Sequence, residues 1–282
     1  MVLLKFFSRL PFPVLYRLSD ILYYLLFYII KYRSKTVYNN LKNSFPEKPE
    51  KEIRNLTKAY YRNLSDLIVE TIKSYNISEE ELRKRVKQVN IELLISYLNK
   101  KQTIIALSGH QCNWEWLLQC SCIHLPYSVD AVYRPLHNNT ADKFFLKLRT
   151  KFGAHPVPAL DTLREVIRRK NITKVIAMVA DQAPPGGEIQ YWTKFLNQDS
   201  AFFVGADKLA KKFKYPVFMA EMTRIKRGYY EIRYELLAEP PFTDEKNDII
   251  ELYSKKLEES IKKYPADWLW SHMRWKHKRN GE

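Results

Sequence analysis

The chain has 282 residues, of which 46% are apolar and 14% aromatic while only 7 are glycine, so it can bury a sizeable core in one large domain or two small ones, and long disorder is excluded. Its 47 lysines and arginines against 31 acidic residues leave a formal charge of +16, a surface that attracts phosphate in nucleic acid, anionic lipid or an acidic protein. Three cysteines, at 112, 120 and 122, are too few and too odd in number for a disulfide framework and point to a reducing compartment.

The N-terminal segment carries Lys5 and Arg9, passes Pro11 and Pro13, and ends in an unbroken apolar run from Ile21 to Ile30 before Lys31, Arg33 and Lys35. Ten helical residues cover only about 15 Å, roughly half a hydrocarbon core, and extending back to Val14 crosses Arg17 and Asp20. The pattern predicts a helix that lies in or dips into a membrane interface, with Tyr16, Tyr23, Tyr24 and Tyr28 at headgroup level. No small-residue cleavage site follows, which disfavours a cleaved signal peptide; a docked core helix is the alternative. Residues 1–35 are accordingly read as a membrane-associating element and 36–282 as a single domain.

Apolar residues at spacings of three and four predict helices over Thr36–Asn43, Glu50–Tyr75 and Ser78–Leu98, the last with a charged, solvated face. From Thr103 short apolar runs alternate with amphipathic stretches: Thr103–Leu107, Trp114–Ile123, Val129–Tyr133, Ala141–Phe152, Thr162–Lys170 and Val175–Ala180. Such alternation predicts an α/β fold with a mainly parallel mixed sheet flanked by helices. Ile189–Phe195 reads as another strand, Ser200 as the cap of a helix through Lys212, and Val217–Thr223 with Tyr229–Leu237 as a strand pair around Arg227-Gly228. A helix from beyond Thr243 to Lys263 closes the series, ahead of an aromatic, basic C-terminal stretch.

Chemistry concentrates in Ser108-Gly109-His110-Gln111-Cys112-Asn113-Trp114-Glu115, at the end of a buried strand where parallel sheets bind ligands. On one helix His110 and Glu115 would stand about 140° apart, so they meet only if His110 lies in the turn and Glu115 in the first helical turn, with Asn113 as N-cap. The carboxylate would then hold one ring nitrogen while the other takes a proton from an alcohol, beside a basic pocket and an apolar tunnel. A Cys112 nucleophile, or zinc held by His110, Cys112, Cys120 and Cys122, competes poorly, because near neighbours in one turn rarely aim at one atom and Cys120 and Cys122 diverge by about 200° on a helix. A non-catalytic basic module that binds anionic lipid or RNA is the alternative from another class.

Gly109, His110, Asn113, Trp114 and Glu115 resemble the Gly-His-x-x-Asn-Trp-Glu motif of the late acyltransferases of lipid A biosynthesis, the lauroyl and myristoyl transferases, within the wider His-x4-Asp/Glu type. In matching order come Leu41 with Ser44-Phe-Pro-Glu47, Val132-Tyr-Arg-Pro135, Asp181-Gln182, Phe202–Ala210 and Trp270-Ser-His-Met-Arg-Trp-Lys276; Gln111-Cys112 departs where a small residue such as Gly is common. The resemblance implies a glycerolipid acyltransferase-like fold, His110 as general base and Glu115 as its partner, with no metal or cofactor. Arg134, Asp181, Gln182 and Arg274 become candidates for binding substrate or an oxyanion, their plain alternatives being a surface ion pair for Arg134, a turn residue for Asp181 and a basic tail on an aromatic helix for Arg274. It further implies acyl carrier protein, or acyl-coenzyme A, as donor. The acceptor it implies is a phosphorylated lipid A precursor, with a lysophospholipid or glycosylated phosphoinositide as runner-up, on the cytoplasmic face of the inner membrane, with no nucleic acid partner.

Overall fold

The computed structural model describes residues 2–243 and 247–279. Helices α1 (Val2–Arg9), α2 (Phe12–Tyr24), α3 (Ser34–Ser44), α4 (Glu50–Lys73) and α5 (Glu79–Arg85) precede strand β1 (Val86–Gln88), α6 (Glu92–Asn99) and β2 (Ile104–Ser108). Then follow α7 (Trp114–His124), β3 (Ser128–Tyr133), α8 (Asn139–Thr150), β4 (His155–Pro158), α9 (Thr162–Arg168) and β5 (Lys174–Val179). A hairpin β6 (Tyr191–Phe195) and β7 (Gln198–Phe202), α10 (Gly205–Phe213), the long strands β8 (Val217–Lys226) and β9 (Tyr229–Ala238), and α11 (Asp248–Lys263) complete the order.

Seven strands form one sheet in the order β1-β9-β8-β2-β5-β3-β4, parallel except for the β8–β9 pair, while β6 and β7 stand apart. The expected α/β class with a mainly parallel mixed sheet is what the structure has. Strand β2 lies inside, between β5 and β8, and all five of its residues are buried. Side chains alternate across the pleat, so Ile105 and Leu107 enter one apolar layer and Ile104 and Ala106 the other. Each fully buried Ile or Leu contributes about 1.5–3 kcal/mol, which anchors this strand and the turn that leaves it.

Helix α2 continues through a π turn at Leu25–Ile29 until Lys31 and Arg33 adopt left-handed backbone. Phe12–Ile29 is long and apolar enough, by length and composition, to cross a membrane. One edge is nonetheless tied to α4, with Phe12, Leu15, Ser19 and Tyr23 buried, Tyr16 Oη donating to Glu70 (2.9 Å) and Ser19 Oγ to Asp66 (2.6 Å). Val14, Ile21, Tyr24, Leu25, Tyr28, Ile29 and Ile30 are exposed on the rest of this surface.

Several expectations are corrected. The helix expected over Ser78–Leu98 is broken, because Val86–Gln88 pairs in parallel with Tyr230–Ile232 as an edge strand and Asn90 bonds the Tyr234 backbone. Ser200 caps no helix: Leu196 and Asn197, both at positive φ, form the two-residue turn of a hairpin, Ser200 lies in β7, and the helix starts at Gly205. Strand β4, absent from the sequence reading, is the edge pair to β3, a position that tolerates Pro156 and Pro158. The C-terminal stretch is no helix; after a short turn at Pro265–Asp267 it runs as an irregular strap. The helix expected from beyond Thr243 is present from Asp248, while residues 244–246 lie outside the described ones.

Candidate active site

Strands β2 and β5 are adjacent and parallel, with Ser108 opposite Val179. Each chain then runs two residues past its last paired position, to His110 on one side and Asp181 on the other. Strand register alone therefore sets these residues side by side at the C-terminal edge of the sheet. Gly109 is required between them because a Cβ there would stand 2.6 Å from Leu257 Cδ1 of α11, a side chain fully buried in the core.

His110 Nδ1 lies 2.5 Å from Asp181 Oδ1, and the His110 backbone N–H donates to Asp181 Oδ2 at 2.8 Å. Trp268 Nε1–H, from the C-terminal strap, donates to the same Oδ2 at 2.7 Å. Burial opposes ionisation of this carboxyl, yet the facing His110 charge, both His110 bonds and the Trp268 indole outweigh it and hold the pKa at about 2. With Nδ1 turned to Asp181, Nε2 is the ring nitrogen left for other partners, and the Gln182 amide nitrogen lies 3.2 Å from it. The ring stands edge-on to Trp114 at 4.8 Å between centroids and is partly open, its side chain 17% exposed against 1% for Asp181.

The strap closes the turn from below. Leu269 N–H donates to His110 O at 3.0 Å and Cys112 N–H to Asp267 O at 2.9 Å, which satisfies backbone groups that a sharp turn would otherwise bury unpaired. Cys112 has φ of 50°, a left-handed conformation that favours glycine, and this is where the sequence departs from the expected small residue. Asn113 caps α7 as expected, its Oδ1 accepting from Trp116 N–H at 3.1 Å, while its Nδ2 donates to buried Glu70 at 2.9 Å.

The expected contact between His110 and Glu115 is replaced. Glu115, in the first turn of α7, is buried and accepts a two-pronged bond from Arg149 of α8, at 2.6 and 3.1 Å, and among the described residues no bond or ion pair joins it to His110. The reach across the sheet to Asp181 takes the ring nitrogen instead. Arg134 is also set apart, since β3 is separated from β2 by β5; it pairs with Glu188 at 2.7 Å on the surface and lies over the Phe203 ring at 4.9 Å.

Arg274, rather than standing on a tail, is buried, with its guanidinium 4.4 Å over the Phe202 ring and its three nitrogens without a bonding partner among the described residues. Burial lowers its pKa to about 10 despite the attraction of Asp181. His272 is also driven down, to about 4, by burial first and then, against the attraction of Asp181, by the charges of His110, Arg274 and Lys276; its Nε2 accepts from Ala183 N–H at 3.2 Å as a neutral ring must. Trp268 went unread in the sequence, although it lies just before the distinctive terminal motif.

Burial raises all three thiols, Cys112 well above its ordinary value, Cys120 to about 11 and Cys122 to about 12, which opposes a thiolate nucleophile. Among the described residues no group of three His, Cys, Asp or Glu side chains is placed to hold a metal ion. The crevice against His110 encloses only about 10 Å³, room for about one water molecule. Its lining is mixed: Leu64 and Leu67 of α4, Trp114, Trp268 and Leu269 are apolar, while Asn63, Arg224 and Asp267 are polar.

Residues 1–277 match the family model described as bacterial lipid A biosynthesis acyltransferase. The chain is also similar to the lipid A biosynthesis lauroyltransferase of Escherichia coli (strain K12), 22% identical over 275 residues that span 97% of this chain and 89% of that protein. With a matching model over nearly its whole length, the chain belongs to the bacterial lipid A biosynthesis acyltransferases, a family of acyl-transferring enzymes.

Proposed function

We propose that this protein moves a fatty acyl chain from an acyl thioester, carried by acyl carrier protein or coenzyme A, to a hydroxyl of a phosphorylated lipid A precursor, with His110 as general base. The observation that carries the reading is the His110–Asp181 pair at the strand ends, with Nδ1 bound and the His110 ring lining the crevice. As the acceptor oxygen attacks the thioester carbonyl, Nε2 takes its proton, and the imidazolium is stabilised by Asp181. Collapse of the tetrahedral adduct breaks the C–S bond, and the imidazolium returns the proton to the leaving thiolate. No covalent enzyme intermediate is needed. The Gln182 amide, 3.2 Å from Nε2, is placed to shift toward the oxyanion once the hydroxyl takes its position.

Asp181 thus takes the partner role expected of Glu115, whose bond with Arg149 instead ties α7 to α8. The protein binds the cytoplasmic face of the inner membrane through residues 1–35, lying in the interface rather than spanning it: Tyr16 and Ser19 are bonded into the protein while the apolar residues face out. The net charge of +16 suits both an anionic lipid surface and an acidic carrier protein. The test is to incubate purified protein with mixed acyl thioesters and a lipid extract and to identify by mass the lipid that gains an acyl chain. Gain by a phosphorylated glycolipid supports the reading; gain by a lysophospholipid alone, or by none, refutes it.

A further inference from the structure

Next to the His110 crevice lies a second and roomier cavity, of about 240 Å³, between α2, α4 and the β8–β9 turn. Asn63 and Arg224 line both spaces, so the two adjoin through shared walls. By the same measure it is about 24 times as roomy as the crevice, enough for a polar headgroup fragment but not for a whole lipid.

Most of its charged groups are already committed. Asp66 takes Arg227 through both carboxylate oxygens, at 2.7–3.0 Å, and accepts from Ser19. Arg227 also reaches Asp20 at 2.7 Å, and Arg224 is held by Asp267 at 2.9 Å with Asp66 at 3.7 Å. Arg62 is the exception: it is exposed, its guanidinium lies 5.1 Å over the Tyr23 ring, and among the described residues it has no carboxylate partner. The cavity therefore carries one uncompensated planar cation, the group best shaped for two-pronged binding of phosphate. Asp20, half exposed, and Asn63, whose Nδ2 is spent on Ala266 O and Asp267 Oδ1, remain as acceptors for hydroxyl groups.

We propose that this cavity receives a phosphate-bearing, hydroxyl-rich headgroup of the acceptor lipid, with Arg62 as its phosphate ligand, so that a neighbouring hydroxyl enters the His110 crevice. The assignment rests on the acyl-transfer reading of His110 only for what happens next, and not for binding. Its position beside the exposed apolar residues of α2 lets the lipid tails stay in the membrane while the headgroup is held.

The experiment measures binding of a phosphorylated disaccharide lipid in detergent micelles to full-length protein, alongside the same lipid after phosphatase treatment and inorganic phosphate alone. Wild type and His110→Ala should both prefer the phosphorylated lipid, and Arg62→Gln should lose about ten- to hundred-fold in affinity for it while matching wild type on the dephosphorylated one. In turnover, Arg62→Gln should raise KM for the acceptor and leave kcat nearly unchanged. An Arg62→Gln variant that keeps the preference overturns the proposal, as does inorganic phosphate binding as tightly as the lipid. If the Arg62-dependent preference holds but no acyl group is transferred, the cavity assignment stands and the transfer reading falls.

Discussion

Replacing Asp181 with Asn separates the partner that the strand register supplies from the partner that the local motif suggested. Three N–H donors converge on this carboxylate: the His110 backbone, the His110 ring and the Trp268 indole. Asn offers one acceptor oxygen and an NH₂ group, so at least one of these donors loses its acceptor, at about 1–3 kcal/mol. The same three bonds, together with the His110 charge, are what hold the Asp181 pKa below its ordinary value, so loss of the charge is part of this cost and not an addition to it. We expect Asp181→Asn to lower stability by about 1–3 kcal/mol. If the new NH₂ group faces Nδ1, the ring proton moves to Nε2 and the base disappears, which costs about 10³–10⁴ in kcat, on the scale known for Asn in place of a triad Asp. Glu115→Gln, by contrast, weakens the Arg149 bond and should cost about 1–3 kcal/mol of stability with kcat within about tenfold of wild type. The assay is steady-state acyl transfer, corrected for the folded fraction by denaturant titration. Retention of activity in Asp181→Asn together with a hundred-fold or greater loss in Glu115→Gln would return the catalytic role to Glu115 and refute the register argument.

The remaining predictions concern pH, the Glu70 network and the thiols. His272 titrates at about 4 when folded against 6.5 as the ordinary value, so the unfolded chain binds more protons between these limits and stability should fall as pH drops from about 6.5 to 4. His272→Gln, which keeps an acceptor for Ala183 N–H, should flatten that limb in denaturant titrations; an unchanged slope would count against a neutral, buried ring. Glu70 accepts from Tyr16, Asn113 and Tyr230 at 2.8–2.9 Å, so Glu70→Gln turns a donor toward donors and should cost about 1–3 kcal/mol of unfolding free energy, and an unchanged midpoint would contradict the network. Cys112→Ala should keep kcat within about tenfold, since a buried thiol of raised pKa does no chemistry here; loss of two orders of magnitude at full folding would revive the thiol nucleophile.

What the sequence disclosed follows the range of the interactions involved. The buried run Ile104–Ser108, the Asn113 cap and the position of His110 in the turn are local matters of periodicity and capping, and all are present. The partner of His110 is not local. It depends on β5 inserting beside β2 in a register that places Asp181 level with His110, and no spacing along the chain records that adjacency. A helix of charged residues conceals β1, whose pairing with β9 spans more than a hundred residues, and two prolines conceal β4, which survives only as an edge. The strap from Asp267 to His272 carries no periodic signal because its backbone bonds go to the turn, to Asn40 and to Tyr60 rather than to a ladder of its own. Composition marked the basic charge of the chain, but the cavity at Arg62 required three separated segments to be brought together.

The most direct test of the central claim is the rate of acyl transfer by His110→Ala, measured under saturating thioester and acceptor at matched folded fraction. Removal of the His110 base should cost about two to four orders of magnitude in rate with acceptor binding retained. A variant that transfers acyl groups within tenfold of the wild-type rate would show that the proton is removed by some other group, and the His110–Asp181 pair would lose its role.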